Sequence, residues 1–265
     1  MGEYFIGVDI GSTCAKTVVM DGKKNILLRL LQPTGWSSVD TAENIRVQLA
    51  GKGFPVEGSV VVATGYGRVS VPYADRCVTE ITCHGRGACC VYGAEDLMAI
   101  DIGGQDTKII QIQGGAVSDF LMNDKCSAGT GRFLEIMANT LAVRPEELCQ
   151  MAAQGGNTSI SSMCTVFAES EVISLIGRGE RRENIAFAVV DSIVKKVASQ
   201  AGRMSAAPAA VCLTGGLCEY PYLRQCLSAA LGRPVEAAAD GRYAGAVGAA
   251  LSAVLFRNKD SQYNG

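Results

Sequence analysis

A chain of 265 residues can form one large domain or two small lobes, with a hydrophobic core that needs no disulfides. The formal charge of −2 and the single histidine leave no basic face for nucleic acid or for a membrane surface. The first residues lack a basic segment followed by a long apolar run, and no stretch reaches the roughly 18 to 20 apolar residues of a membrane span. We therefore expect a soluble, cytoplasmic protein with no nucleic-acid or membrane partner.

The eleven cysteines are many for a chain without a recognisable secretory signal. In a reducing compartment, such a number indicates metal binding or burial before it indicates disulfides. The sequence contains no CxxC pair, which argues against a zinc ribbon and against a thioredoxin-type motif.

Two segments repeat the same pattern of a strand, a glycine turn and a second strand. They read YFIGVDIGSTCAKTVVMDG and, further along the chain, LMAIDIGGQDTKIIQIQGG. The repeat indicates an internal duplication of a β-hairpin. At a constant offset, the residues that align are Asp9, Ile10, Gly11 and Lys16 with Asp101, Ile102, Gly103 and Lys108.

The rest of the chain alternates strands with helices. VVVATGYGR and VCLTGGLCEYPYL are each typical of an apolar strand that enters a glycine turn. Helical periodicity appears in residues 132–143, 166–177 and 243–256. The alternation predicts an α/β protein.

The two glycine turns suit a phosphate group, because glycine lets backbone N–H groups approach an anion without a β-carbon in the way. We expect Ser12, Thr13 and Gly104 to donate to phosphate. Asp9 and Asp101 stand at the strand end of each turn, and a hydrated Mg2+ prefers a few carboxylates together with waters and phosphate oxygens. One Asp-x-Gly turn is common in ordinary hairpins, but two aligned copies favour the binding role.

GVDIGST, AIDIGGQDTK and VCLTGGL resemble the first phosphate, second phosphate and adenosine motifs of the sugar kinase, actin and heat-shock chaperone superfamily. The resemblance implies two ribonuclease-H-like lobes, residues 1–97 and 98–242, with ATP in the cleft between them. A C-terminal helix, residues 243–265, would pack back on the first lobe. Adenine would lie near Gly215 and Gly216. The turn residues implied to contact the nucleotide are Gly11, Ser12, Thr13, Lys16, Gly103, Gly104, Gln105 and Asp106.

Three side chains of the turns have two interpretations each. Gln105 can orient the attacking water, as glutamine does in other nucleotide hydrolases, or it can hold the turn. Lys16 and Lys108 can each be a phosphate ligand or a solvated lysine of the hairpin.

Two cysteines stand in similar positions within NDKCSAGTGRFLEIMANTL and SSMCTVFAESEVISLI. Cys126 and Cys164 are predicted at or near helix N-termini, where the helix dipole and backbone N–H groups stabilise a thiolate or an anionic cluster. A 4Fe-4S cluster needs four thiolates, whereas one chain offers two such sites. A two-fold symmetric dimer in which each subunit supplies both cysteines would provide four ligands.

The same segments resemble the signature of the 2-hydroxyacyl-CoA dehydratase activator family, which includes ATPase subunits of benzoyl-CoA reductases. NDKC, AGTGRFLE and MCTVFAESEV carry the resemblance, and TGYGR and TEITCHGRGA add to it. The resemblance implies a homodimer with one bridging 4Fe-4S cluster, reduced by ferredoxin or flavodoxin, that passes single electrons to a partner enzyme as ATP is hydrolysed to ADP. The implied acceptor is a 2-hydroxyacyl-CoA dehydratase, a benzoyl-CoA reductase or a reductase with a double-cubane cluster.

Further residues acquire expected roles from this resemblance. Gly129 and Gly131 are expected to approach the nucleotide from the second lobe. Glu171 either assists on the same side or is an ordinary glutamate of a helix surface.

The other cysteines are interpreted mainly as packing residues. Cys83 and His84 are adjacent, and such a pair can bind metal or act in nucleophilic catalysis when a third group orients it. No such group is evident, so a structural role near the nucleotide or an interface is favoured. Cys218 either packs a helix or contacts the nucleotide. Cysteines expected to behave as compact buried hydrophobes are Cys14, Cys89, Cys90, Cys212 and Cys226.

Two other functions are compatible with the nucleotide motifs. A small kinase resembling type III pantothenate kinases would need a general base, for which Asp106 is the nearest candidate. It would leave Cys126 and Cys164 unexplained. An actin-like or chaperone-like switch would have no redox chemistry, and the chain lacks a separate peptide-binding domain.

Overall fold

The computed structural model of this protein describes residues 4–161, 164–204 and 208–263. Four short ranges lie outside the described residues, namely 1–3, 162–163, 205–207 and 264–265. They fall within the predicted motifs and domain ranges. The strands are β1 (Phe5–Ile10), β2 (Cys14–Met20), β3 (Ile26–Pro33), β4 (Val60–Thr64), β5 (Arg76–Cys77), β6 (Leu97–Ile102), β7 (Thr107–Gln113), β8 (Ala116–Asn123) and β9 (Ala210–Thr214). The α-helices are α1 (Ser38–Gly51), α2 (Glu80–Tyr92), α3 (Gly131–Thr140), α4 (Pro145–Ala152), α5 (Thr165–Gly177), α6 (Arg182–Ala201), α7 (Pro221–Leu231) and α8 (Ala244–Tyr263).

The chain divides into two compact units. Unit 1 comprises Met1–Asp96, Ile112–Ser118 and Asp240–Gly265, and unit 2 comprises Leu97–Gln111 and Asp119–Ala239. The lobe boundaries expected from the sequence, after residues 97 and 242, stay a prediction.

Unit 1 is built on a five-stranded sheet in the order β3-β2-β1-β4-β5. Because side chains alternate across a strand, β1 presents Ile6, Val8 and Ile10 to the core that includes α1. Its other face meets α8, where a β-carbon added at Gly7 would meet the backbone of Ala246. Asp9 shares that face. Because of this alternation, the carboxylate of Asp9 points toward α8.

Unit 2 is built on a four-stranded sheet in the order β8-β7-β6-β9. Its core combines Ile100, Ile102 and Ile109 with apolar residues of α3 to α7. The strand order repeats that of β3-β2-β1-β4, so the duplication seen in the sequence extends to the topology of the sheets.

The predicted helices are present with small differences in their ends. α5 closely matches the predicted range 166–177, and α8 includes the predicted range 243–256 apart from its first residue. α3 ends at Thr140, three residues before the predicted end, because Ala142 adopts a positive φ of 52° that no helix continues. No helix within the described residues is long and apolar enough to cross a membrane.

Candidate nucleotide and cysteine sites

The turn between β1 and β2 presents open backbone donors. Gly11 N donates to Cys14 O at 3.2 Å, which closes the turn. The N–H groups of Ser12 and Thr13 make no hydrogen bond to any residue that the structure describes. Glycine and open N–H groups at a tight turn form the concave nest that binds anions. This is the chemistry expected of Ser12 and Thr13.

Asp9 is buried directly behind this turn, with 3% of its surface exposed. Its carboxylate makes no hydrogen bond or ion pair within the described part of the chain. A β-carbon added at Gly65 would lie 2.5 Å from Oδ1, and one added at Gly245 would lie 2.5 Å from Oδ2. Two glycines thus make room for a carboxylate that has no protein cation beside it. A carboxylate at this turn without an ion pair among the described residues fits the oxygen ligands that Mg2+ prefers.

Lys16 faces Asp9 in the register of β1 and β2. Its Nζ lies 4.0 Å from the position of a β-carbon at Gly11, and the side chain makes no ion pair with a described residue. The ammonium is therefore available to a phosphate at this turn.

The turn between β6 and β7 is tied to the loop that begins α3. Gly103 N donates to Asp106 O at 2.9 Å, while Gly103 O and Gly104 O accept from Gly131 N and Arg132 N at 2.9 and 2.8 Å. Thr107 Oγ1 donates to Gly129 O at 2.8 Å. These bonds place the AGTG segment against the second turn, while the expected approach of Gly129 and Gly131 to the nucleotide stays a prediction.

The donors of the second turn are also open. The N–H groups of Gly104 and Gln105 make no hydrogen bond to the residues described, and the exposed Gln105 side chain makes none either. Gln105 therefore does not hold the turn through its amide. The water-orienting role stays a prediction.

Asp101 differs from Asp9 because protein groups surround its carboxylate. Lys108 Nζ lies 3.2 Å from Asp101 Oδ2 and 2.8 Å from Asp106 Oδ2, and Thr214 Oγ1 donates to Asp101 Oδ1 at 3.0 Å. Lys108 is 1% exposed. The interpretation of Lys108 as a solvated hairpin lysine is therefore wrong, since the ammonium is buried between two carboxylates.

The glycines after β9 have different surroundings. Gly215 has a φ of 79°, and a β-carbon there would lie 2.7 Å from Asp101 Oδ1 and 2.6 Å from Ile102 O. A β-carbon at Gly216 would meet nothing within 4 Å. Gly215 is thus required by close packing, while Gly216 leaves open space for a ligand.

Thr64 and Gly65 occupy the positions in unit 1 that Thr214 and Gly215 occupy in unit 2. The sequence analysis missed this equivalence. Gly65 has a φ of 85°, and a β-carbon there would lie 2.5 Å from Asp9 Oδ1 and from Ile10 O, as at Gly215. The signal was present, since both strands end in Thr-Gly. It becomes informative only when β4 and β9 are seen to pair with β1 and β6.

Cys126 and Cys164 are brought together within unit 2. Cys126 is half-buried in the loop between β8 and α3, and Cys164 is the exposed N-cap residue of α5. Their following residues are joined, with Ser127 Oγ 2.6 Å from Thr165 Oγ1. The prediction of a helix start holds for Cys164, while Cys126 precedes α3 by a loop whose N-cap is Thr130.

Glu171 lies on α5, on one side of the region that contains Cys126 and Cys164. Its two carboxylate oxygens accept from Ser161 N at 2.8 Å and Ser161 Oγ at 2.7 Å. These bonds hold Ser161 against α5. Its expected contact with nucleotide stays a prediction.

The other cysteines range from buried to exposed thiols, and Cys14, Cys89 and Cys226 are only partly buried. Burial raises the pKa of Cys83 to about 11 and that of Cys149 to about 12. Cys218 is buried in the core of unit 2, which supports packing. Cys90 is exposed, so its interpretation as a buried hydrophobe is wrong, because it lies on the solvent side of α2.

Known proteins resemble this chain over nearly its whole length. The BadF/BadG/BcrA/BcrD ATPase family matches residues 6–253. The (R)-2-hydroxyglutaryl-CoA dehydratase activating ATPase of Acidaminococcus fermentans is 38% identical over 256 residues, which cover 96% of this chain and 98% of that protein.

Solved structures give the same result. The activator of the 2-hydroxyisocaproyl-CoA dehydratase from Clostridium difficile, with bound ADPNP, is 35% identical with a TM-score of 0.90, covering 99% of this chain and 98% of that chain. A ROK family glucokinase from Streptomyces griseus in complex with glucose and AMPPNP is 18% identical with a TM-score of 0.60, covering 94% and 98%, which shows a shared fold alone. The predicted actin-like α/β ATPase fold is thus confirmed, and the chain belongs to the BadF/BadG/BcrA/BcrD ATPase family.

Proposed function

We propose that this protein is an ATP-hydrolysing 4Fe-4S protein that transfers single electrons to a 2-hydroxyacyl-CoA dehydratase. The names of the Acidaminococcus and Clostridium relatives support an activator that acts on such an enzyme. The proposed redox role rests on the hydrogen bond between Ser127 and Thr165, since it brings the backbones that bear Cys126 and Cys164 together.

The two cysteines fit half of a cluster site. Thiolate sulfur is the donor that iron–sulfur clusters use, and Cys164 at the N-cap of α5 stands where the helix dipole favours an anion. No group of three or more potential metal-ligating side chains occurs among the described residues. Two ligands from each of two chains would provide the four thiolates that such a cluster needs. When bound, such a cluster supplies a low-potential centre for one electron.

The surface beside Cys164 suits a second copy of the chain. α5 exposes Val166, Phe167 and Ile173, with 67%, 66% and 56% of their surfaces accessible. Apolar side chains grouped on one helix face are a usual mark of a protein interface. We propose that the homodimer forms over this face, with one cluster per dimer.

The nucleotide part rests on the two turns. Ser12, Thr13, Gly104 and Gln105 offer N–H groups to the phosphates of ATP, and Lys16 offers a cation. Asp9 is proposed to hold hydrated Mg2+ through water, because its carboxylate has no protein cation beside it. Gly216 is proposed to border the adenosine.

A kinase function is less well supported. Asp106, the candidate general base, is 2.8 Å from Lys108 Nζ. The ion pair engages this carboxylate with a buried ammonium, and no acceptor motif accompanies Asp106 in the sequence.

The test is anaerobic reconstitution with iron and sulfide, followed by ATP-dependent electron transfer to candidate acceptors. We expect about four irons per dimer, reduction by ferredoxin or flavodoxin, and acceptor reduction only with Mg-ATP. Purified dehydratase, benzoyl-CoA reductase and double-cubane reductase should be compared, and transfer to either reductase alone would correct the proposed acceptor.

Variants of the cysteines identify the ligands. Cys126→Ala and Cys164→Ala should each abolish the cluster and weaken the dimer while ADPNP still binds. Cys90→Ala, which removes another exposed thiol, should leave the iron content unchanged. Full iron content in Cys126→Ala or Cys164→Ala would contradict the assignment.

A further inference from the structure

The adjacent residues Cys83 and His84 have no role in the function described so far. His84 is the single histidine of the chain, lies on α2 and is 5% exposed. Its imidazole reaches the same place as the Asp9 carboxylate, because a β-carbon added at Gly245 would lie 2.8 Å from His84 Nε2 and 2.5 Å from Asp9 Oδ2. A buried imidazole therefore borders the inner side of the carboxylate at the first turn.

We propose that His84 is a positioning residue for Asp9 in the binding of the nucleotide-bound metal, an inference that rests on the proposed ATP hydrolysis. Oδ2 is confined by Gly245 and His84, and Oδ1 lies against Gly65. A carboxylate with so little space around it keeps one orientation toward the turn. Neighbours that orient a metal-side carboxylate usually strengthen metal binding.

The placement of His84 follows from unusually close packing of α2 and α8. A β-carbon at Gly87 would meet the carbonyl of Ala244, and one at Gly248 would meet the carbonyl of Cys83. Glycine at these positions lets the two backbones touch. α2 is also held at its N-terminus, where Thr79 caps the helix, so the imidazole is carried by a rigid element.

In the second turn, a different group lies beside the carboxylate. The Oδ2 atom of Asp101 is held by Lys108, whereas the aligned Lys16 makes no ion pair with the described residues and His84 stands on the Oδ2 side of Asp9. A lysine fixes the carboxylate but neutralises it. A nearby imidazole limits the space around Oδ2 while leaving the first turn without an ammonium bound to Asp9.

The test compares His84→Leu, which removes Nε2 but keeps much of the bulk, with His84→Gln, which keeps a polar group at similar reach. Binding of Mn2+ is measured by electron paramagnetic resonance with the non-hydrolysable analogue ADPNP. We expect about 10-fold weaker Mn2+ binding in His84→Leu and recovery to within about threefold of wild type in His84→Gln. ADPNP affinity without metal should be unchanged.

Two further variants make the outcome decisive. Gly245→Ala adds a methyl group within 3 Å of both Asp9 Oδ2 and His84 Nε2, and it should weaken Mn2+ binding although the imidazole remains. Cys83→Ala removes a neighbouring buried side chain of α2 and should leave Mn2+ binding unchanged. Wild-type Mn2+ affinity in folded His84→Leu, or equal losses in His84→Leu, His84→Gln and Cys83→Ala, would overturn the role of His84. Absence of ADPNP-dependent Mn2+ binding in the wild type would overturn the nucleotide function itself.

Discussion

The turns of unit 1 and unit 2 come from the same duplicated hairpin, yet their charged groups are arranged in opposite ways. In unit 2, Lys108 is buried between Asp101 and Asp106. In unit 1, Lys16 and Asp9 make no ion pair with each other or with any other described residue. The charged side chains of the second turn are paired with each other, whereas those of the first turn are open toward a ligand.

This difference shows how a duplication can divide two tasks between its copies. A buried ammonium between two carboxylates satisfies its own charges and stiffens the turn, at the cost of desolvation. A lysine and a carboxylate without ion pairs contribute little to the stability of the fold, but they can bind phosphate and metal. Aligned residues of a repeat need not share a role.

The largest expected effect concerns the two lysines. Lys108→Met should destabilise the protein by about 3 to 5 kcal/mol, because it leaves two carboxylates without their buried cation. Lys16→Met, the matched change in unit 1, should leave the midpoint of thermal unfolding nearly unchanged and raise KM for ATP. Calorimetry and ATPase assays measure the two properties. Equal destabilisation by both variants would contradict the contrast between the turns.

The second effect concerns the aligned aspartates. Asp9→Asn should lower kcat for Mg-ATP hydrolysis about 100-fold, or about 2.7 kcal/mol, by removing charge beside the hydrated metal. Its unfolding temperature and the cluster spectrum should stay close to wild type.

Asp101→Asn provides the comparison, since it removes one of the two carboxylates around Lys108. It should lower the unfolding temperature more than Asp9→Asn does. Wild-type turnover in Asp9→Asn would show that the open carboxylate has no part in hydrolysis.

The smallest effect concerns the glycine behind Asp9. Gly65→Ala should cost about 2 kcal/mol, from the positive φ and from crowding against Asp9 Oδ1, and should reduce ATPase activity. Gly93→Ala is a matched control, since Gly93 also has a positive φ but a β-carbon there meets nothing within 4 Å. Gly93→Ala should cost about 1 kcal/mol and leave activity intact. Indistinguishable variants would mean that the backbone alone requires glycine at position 65.

Much of this protein was determined by local sequence. Alternation of apolar residues and the repeated Asp-x-Gly turn predicted the α/β fold, the duplicated hairpins and the helices that contain the 166–177 and 243–256 ranges. These predictions succeed because period, turn chemistry and capping act over a few neighbouring residues. The similar positions of Cys126 and Cys164 ahead of helices were also indicated, since both segments carry a polar stretch before a helix, while their pairing as cluster ligands stays a prediction.

Tertiary structure decided what surrounds the first aspartate. Lys16 and Lys108 follow their aspartates at the same spacing, but the residue two positions before each lysine differs, being Cys14 in the first repeat and Asp106 in the second. The pairing of Lys108 with Asp106 therefore has a local signal in the sequence. The approach of His84 and Gly245 to Asp9 has none, because the packing of α2 and α8 joins residues far apart in the chain.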